Sequence, residues 1–144
     1  MPQVSKRILD SKVEAKIKNT LLDAVSQVRS REDVSAFVND LLSPVEKTML
    51  SKRLAIAILI NRGWEYPAIC NFLKVSSGTV AKISILIKHK SAYVRTIKKL
   101  EETEAGREFF ADLAIFAHKL GVHKDLFVSD ELLKRKFGLE KKTL

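Results

Sequence analysis

A chain of 144 residues with 46% apolar residues has room for one domain, or for one domain with a helical extension. It contains no apolar run of about 18 residues, and its start, MPQVSKRILD, lacks the apolar stretch of a signal peptide. We therefore expect a cytoplasmic protein. The single cysteine, Cys70, excludes an internal disulfide framework, and the three isolated histidines favour neither a metal site nor a cofactor.

The net charge of +9 is concentrated in the middle of the chain. Residues 44–90 hold eight basic and two acidic residues, whereas the segments on either side are nearly balanced. From Tyr66 to Leu100 there are seven Lys or Arg residues and no Asp or Glu. A local field of one sign attracts a phosphate backbone, so the pattern favours a nucleic-acid partner over a protein that is merely basic and soluble.

Scarce Gly and Pro and the absence of alternating strand patterns predict an all-α fold. The first helix is amphipathic and carries Val4, Ile8, Ile17, Leu21, Val25 and Val28. Ser30 opens the second helix. Ser43-Pro44-Val45-Glu46 is a capping-box signal for a third helix, which Gly63 ends.

A helix-turn-helix pattern follows. Pro67 begins a short helix, Lys74-Val75 turns the chain, and Ser76 or Ser77 caps a second helix that is expected to continue past Lys90 toward Leu100. The seam between the two helices is predicted to consist of Ile69, Leu73, Val75, Val80 and Ile83. Two ordinary core helices with a polar turn are the alternative.

Two more helices are predicted in the C-terminal part. One lies near Glu104–Leu120 and is expected to bury Phe109, Phe110, Leu113, Phe116 and Leu120; a short one starts at Ser129. Trp64 is expected to be partly buried, and Cys70 to belong to the core. We divide the chain into a domain that contains the helix-turn-helix, residues 1–100, and a C-terminal helical extension, residues 101–144.

The start of the second helix of the motif is small or hydroxylic, so its N-terminus can approach DNA closely. Thr79 and Lys82 are expected to reach base edges. The predicted DNA-binding residues are Lys74, Ser76, Ser77, Gly78, Thr79, Ala81, Lys82 and Lys88. The apolar Ile85 and Leu86 indicate that later turns pack against something else, such as a second subunit.

The segment LLSPVEKTMLSKRLAIAILINRGWEYPAICNFLKVSSGTVAKIS resembles the Trp repressor superfamily, and within it the Trp-repressor-related YerC/YecD branch. The similarity lies in Leu42-Ser43-Pro44 with Glu46, in Arg53, in Arg62-Gly63 and in the Val75–Ile83 stretch, and it covers roughly residues 30–90. It implies an all-helical, intertwined homodimer whose two heads read successive major grooves of double-stranded DNA, ~34 Å apart. The same resemblance implies that the domain of residues 1–100 dimerises and binds DNA.

The resemblance also implies positions for a ligand. Arg53 and Lys82 match two arginines that flank bound tryptophan in the repressor, while Ile83 and Leu86 match a glycine and a small serine that make room for it. We expect these two larger side chains to fill the slot, so no small-molecule corepressor is expected.

These observations favour a homodimeric, sequence-specific transcriptional regulator, and more specifically a repressor. The alternative is a protein-interaction or non-specific DNA-binding module that keeps the fold without reading an operator. No catalytic constellation or phosphate loop can be assembled from the sequence, so we do not expect an enzyme.

Overall fold

The computed structural model describes residues 4–89 and 91–119, and this part of the chain contains seven α-helices and no strand. The all-α prediction is therefore confirmed. The helices are α1 (Ser11–Gln27), α2 (Arg31–Leu41), α3 (Pro44–Asn61), α4 (Tyr66–Leu73), α5 (Ser77–His89), α6 (Ser91–Glu102) and α7 (Glu104–Lys119). The backbone divides into two compact units, Met1–Ser51 and Lys52–Leu144. The domain division after residue 100 stays a prediction.

Side-chain caps determine where the helices of the first unit begin. The Asp10 carboxylate accepts hydrogen bonds from the N–H groups of Lys12 and Val13, at 3.0 and 3.3 Å. The first helix therefore begins after Asp10 and ends at Gln27, so the predicted inclusion of Val4, Ile8 and Val28 is wrong. Ser30 caps α2 as predicted.

The capping box at the start of α3 is formed as predicted. The Glu46 carboxylate accepts hydrogen bonds from the N–H and the hydroxyl of Ser43, at 2.8 and 2.7 Å. The Ser43 hydroxyl in turn accepts from the N–H of Glu46 at 3.3 Å. The bonds from Ser43 hold the pKa of the Glu46 carboxyl below its ordinary value of 4.5.

Gly63 ends α3 in a Schellman motif, as the sequence predicts. Its φ of 82° places it in the left-handed region that glycine adopts without strain. The N–H of Gly63 donates to the carbonyl of Ile60 at 2.9 Å, and the N–H of Trp64 donates to that of Leu59 at 3.0 Å.

The second unit has a closed apolar core. Its most buried large side chains are Ile56, Ile58, Leu59, Ile69, Val80, Ile83 and Ile97. The core also contains Trp64, Phe110 and Leu113, while Cys70 packs against it half-buried. Trp64 is only 3% exposed, so the expectation of partial burial is wrong. The N–H of Trp64 is bonded to the carbonyl of Leu59, and its ring contacts that of Phe72 at a tilt of 54°, with 5.5 Å between the ring centres.

Two phenylalanines of α7 lie outside this core, contrary to prediction. Phe109 and Phe116 are 44% and 53% exposed, because the buried face of the helix is formed by Phe110, Leu113 and Ala114. Phe116 still makes an edge contact, at 5.4 Å, with Phe72 of α4. The predictions for Leu120 and for a helix from Ser129 lie outside the described residues.

The long helix predicted from Ser77 toward Leu100 is in fact two helices, α5 and α6. The sequence carries no sign of the break, since Ile87 and Val94 are seven residues apart and keep helical spacing across it. α6 packs against both α5 and α7. The α6–α7 corner is tight: a Cβ on Gly106 would lie 1.8 Å from the carbonyl oxygen of Leu100.

An ion pair joins α3 to α6. Arg62 Nε donates to Glu101 Oε1 at 3.0 Å, and the guanidinium of Arg62 lies 4.2 Å from the ring centre of Phe110 on α7. Because both charged side chains are about a quarter exposed, the pair positions the helices more than it stabilises them. The helix α7 thus packs, through Phe110, on its own chain.

Candidate nucleic-acid interface

The turn between α4 and α5 sets the geometry of the candidate site. Lys74 follows α4 in the left-handed conformation, with φ 54° and ψ 54°. The N–H of Val75 donates to the carbonyl of Cys70 at 3.2 Å, which closes the end of α4. Three residues separate the helices, and the chain bends by 119° between them. A short turn and a bend of this size are typical of a helix-turn-helix unit.

Ser76 rather than Ser77 is the cap of α5. Its hydroxyl accepts from the N–H of Thr79 at 3.3 Å and lies 2.9 Å from the Thr79 hydroxyl. Two of the predicted contact residues therefore bond to each other and hold the first turn in shape. Ser77 and Gly78 are exposed, and the first N–H groups of a helix have no partner within the helix, so this end of α5 can bind phosphate.

The predicted reading face of α5 is open to solvent. Gly78 and Lys82 are exposed, and Ala81 between them is half-buried. A Cβ built on Gly78 would meet nothing within 4 Å. Lys88, one turn farther than Ile85, is also exposed. The structure thus brings most predicted contact residues to the solvent-facing side of one helix.

The opposite side of α5 is fixed to the core, which gives the reading face a rigid support. Val80, Ile83 and Ile87 are buried, and the predicted seam is confirmed because Leu73 and Val75 pack against the same cluster.

Sequence reasoning missed one further contact in this support. The Tyr66 hydroxyl donates to the hydroxyl of Ser84, which is 3% exposed, and so ties the start of α4 to the middle of α5. The position of Ser84, one turn after Val80 on the buried face, was the available signal for its burial.

The charge of this surface is uncompensated within the described residues. Lys74 Nζ donates to the amide oxygen of Asn71 at 3.4 Å, and neither Lys82 nor Lys88 forms an ion pair in the described part of the chain. Unpaired cations beside a helix N-terminus produce a positive potential that a polyanion can satisfy.

Of the two positions that the resemblance assigns to a ligand, Arg53 lines a cavity and Lys82 does not. A cavity of about 470 Å³ is lined by Arg53, Ile83, Leu86, Ala92, Tyr93 and Thr96. Lys82 is not among these residues. Burial raises the pKa of the Tyr93 hydroxyl, and Arg53 opposes this shift. Ile83 and Leu86 line the cavity together with Arg53 of α3 and three side chains of α6, so the expectation that the two apolar side chains fill this space is wrong.

No group of three or more His, Cys, Asp or Glu side chains that could hold a metal ion occurs among the described residues. In the same part of the chain, no single helix is long and apolar enough to cross a membrane.

Comparison with known proteins identifies the family. The sequence model of the family described as Trp repressor protein matches residues 17–94, just over half of the 144 residues. The chain belongs to the Trp repressor protein family. Searches of curated proteins and of solved structures found no significant match. The Trp repressor family consists of non-enzymatic DNA-binding regulators, and membership assigns the chain to DNA-binding in transcription regulation.

Proposed function

We propose that this protein is a sequence-specific regulator of transcription that reads double-stranded DNA through the first two turns of α5, residues 77–82. The observation that carries the proposal is the exposed, acid-free N-terminal end of α5, which is held by a buried seam at a 119° bend from α4. Such an end enters a major groove with its small residues close to the backbone and its longer side chains at base edges.

Each residue of this surface has a distinct role in the proposal. Lys82 donates to guanine O6 and N7, and Ser77 with the first-turn N–H groups binds phosphate. Ser76 and Thr79 maintain the cap, while Gly78 and Ala81 leave space for the approaching duplex. Lys74 and Lys88 contact flanking phosphates, which adds affinity without base preference.

The acting form in this proposal is a homodimer. No residue of α1 or α2 is buried in the single chain. Seven large apolar side chains of these helices are more than 40% exposed: Val13, Ile17, Leu21, Leu22, Val25, Val34 and Leu41. Covering each contributes up to about 1.5–3 kcal/mol. A second copy provides that cover and places two reading heads ~34 Å apart. We propose a repressor, and place it in the YerC/YecD branch.

A second candidate function is a protein-interaction module, or a non-specific DNA-binding one, that does not read an operator. It is favoured by the exposed Ile85 and Leu86 on the recognition helix, 59% and 41%, because apolar side chains bind base edges poorly. It predicts weak, steeply salt-dependent DNA binding with no base preference.

Selection from a random duplex library at about 150 mM salt separates the two candidates. A two-fold-symmetric site is the result expected of a dimeric regulator. On that site, Lys82→Ala should cost about 1–3 kcal/mol and relax preference at one base pair of each half-site. If folded protein enriches no site, sequence-specific reading is refuted; if Lys82→Ala changes neither affinity nor preference, the assigned reading face is wrong.

A further inference from the structure

We infer that the outward face of α6 is a second DNA-contacting surface, on which Arg95, Lys98 and Lys99 bind backbone phosphates outside the groove entered by α5. The inference rests on the proposed DNA binding by α5. It extends that function to an element whose three cations lie beyond the residues matched by the family model, 17–94.

The orientation of α6 is fixed by its own core contacts. Ile97 is fully buried, and Tyr93, Val94 and Leu100 pack against the core cluster. At 100° per residue, Arg95 points about 160° away from Ile97 around the helix axis. Lys98 lies about 60° to one side of Arg95, and Lys99 lies about 40° to its other side. All three cations are exposed. The apolar side of α6 is thus covered within the chain, and the basic side remains available.

Within the described residues these cations form no ion pair, although exposed Glu102 lies one helical turn after Lys98 and Lys99. Glu101 is held on the inner side by Arg62, 3.0 Å away, and no ion pair involves Arg95, Lys98 or Lys99. Arg95 has like charges three and four residues ahead, spacings that destabilise a helix. The helix dipole favours Lys98 and Lys99 near the C-terminus, but not Arg95, which lies in the second turn. The stability of the helix therefore gives no reason for Arg95, whereas binding a polyanion accounts for all three cations.

The position of α6 after α5 makes duplex DNA the partner. α5 has 13 residues and is therefore ~20 Å long, whereas the major groove is ~12 Å wide. When the first two turns of α5 lie in the groove, its later turns extend to the groove wall, which the phosphate backbone forms. α6 packs against α5 and begins two residues after its end, so the proposal places its cations beside the phosphate backbone at that wall.

The test is the salt dependence of binding by the full chain, measured on the selected site and on a random duplex of equal length. Each phosphate contact contributes about 0.9 to the slope of log K against log salt. We expect the Arg95→Gln/Lys98→Gln/Lys99→Gln variant to lower the slope by about 2–3 on both duplexes, without changing base preference. A matched control, Lys6→Gln/Lys12→Gln/Lys16→Gln, removes the same charge from exposed positions and should leave the slope nearly unchanged.

The outcomes separate this inference from the function on which it rests. If the wild-type protein binds the selected site and the α6 variant keeps its slope, or loses no more than the control, the inference is overturned while the proposed function stands. A loss confined to the selected site would indicate base reading and would also overturn it. If the wild-type protein binds neither duplex, both proposals fail together. Thermal unfolding must show that both variants are folded at the assay temperature, which the exposure of all six positions predicts.

Discussion

Gly78→Ala separates what the fold requires at the start of α5 from what a DNA partner requires. The glycine does not have a positive φ, and a Cβ there would meet nothing within 4 Å, so the folded chain has no need of it. In a helix, glycine is about 0.5–1 kcal/mol less favourable than alanine. The substitution should therefore stabilise the protein by up to that amount, which raises Tm by about 2–5 °C.

The same substitution should lower the affinity for DNA, although it raises the stability of the fold. A methyl group on the exposed first turn occupies the space into which the phosphate backbone must come, and lengthens the contacts of neighbouring N–H groups. We expect at least a tenfold loss of affinity for the selected site, about 1.4 kcal/mol, by fluorescence anisotropy. A lower Tm would contradict the open space around Gly78, and unchanged affinity would refute close approach of DNA at this turn.

Gly106→Ala is the matched control in the same chain. Its Cβ would lie 1.8 Å from the Leu100 carbonyl oxygen, so the α6–α7 corner must shift. Overpacking of this kind costs about 1–3 kcal/mol, and Tm should fall. One glycine substitution thus raises stability and lowers affinity, while the other lowers stability. If Gly106→Ala does not lower Tm, the packing of α7 on α6 is wrong.

Three further predictions concern the turn, the support of α5 and the α3 cap. Lys74→Gly relieves a left-handed residue that costs about 1–2 kcal/mol, so Tm should rise while the slope of log K against log salt falls by about 1. Tyr66→Phe removes the phenol bonded to buried Ser84 and should cost about 1–3 kcal/mol in urea unfolding; no change would show that the bond is dispensable. Ser43 lowers the folded-state pKa of Glu46, so the ionised carboxylate stabilises the fold above about pH 4.5 and does so less as the pH falls. The difference in free energy of unfolding between wild type and Glu46→Gln should therefore decrease from about pH 7 to about pH 3. A difference that stays constant over this range would contradict the argument.

Features that depend on a few neighbouring residues could be predicted from the sequence. The Ser30 cap, the Ser43–Glu46 box and the Gly63 ending each use chemistry within one helical turn, and all three are present. The seam of the bent helix pair followed from helical spacing for the same reason. The exposed reading face then follows as the side of α5 opposite to the seam.

Features that depend on distant contacts could not be predicted in this way. The break before α6 leaves the apolar spacing unchanged, so only the packing of α6 against α7 distinguishes two helices from one. Phe109 and Phe110 are adjacent aromatic residues, and the sequence pattern does not show which of them is buried. In the structure Phe110 is the buried one, and it contacts Arg62, which is distant in the sequence. The Tyr66–Ser84 bond spans 18 residues and has no local signal.

The two units of the chain differ in what they leave exposed, and this difference argues for two kinds of partner. The second unit encloses an apolar core and presents cations, which suits a polyanion, while Ile85, Leu86, Phe109 and Phe116 remain exposed on it. The first unit buries no residue of α1 or α2, and isolated helices of 17 and 11 residues are marginally stable in water. The helical state of that unit therefore depends on apolar cover. If a second copy provides it, folding of the first unit and dimerisation are one equilibrium, and its helicity must increase with protein concentration.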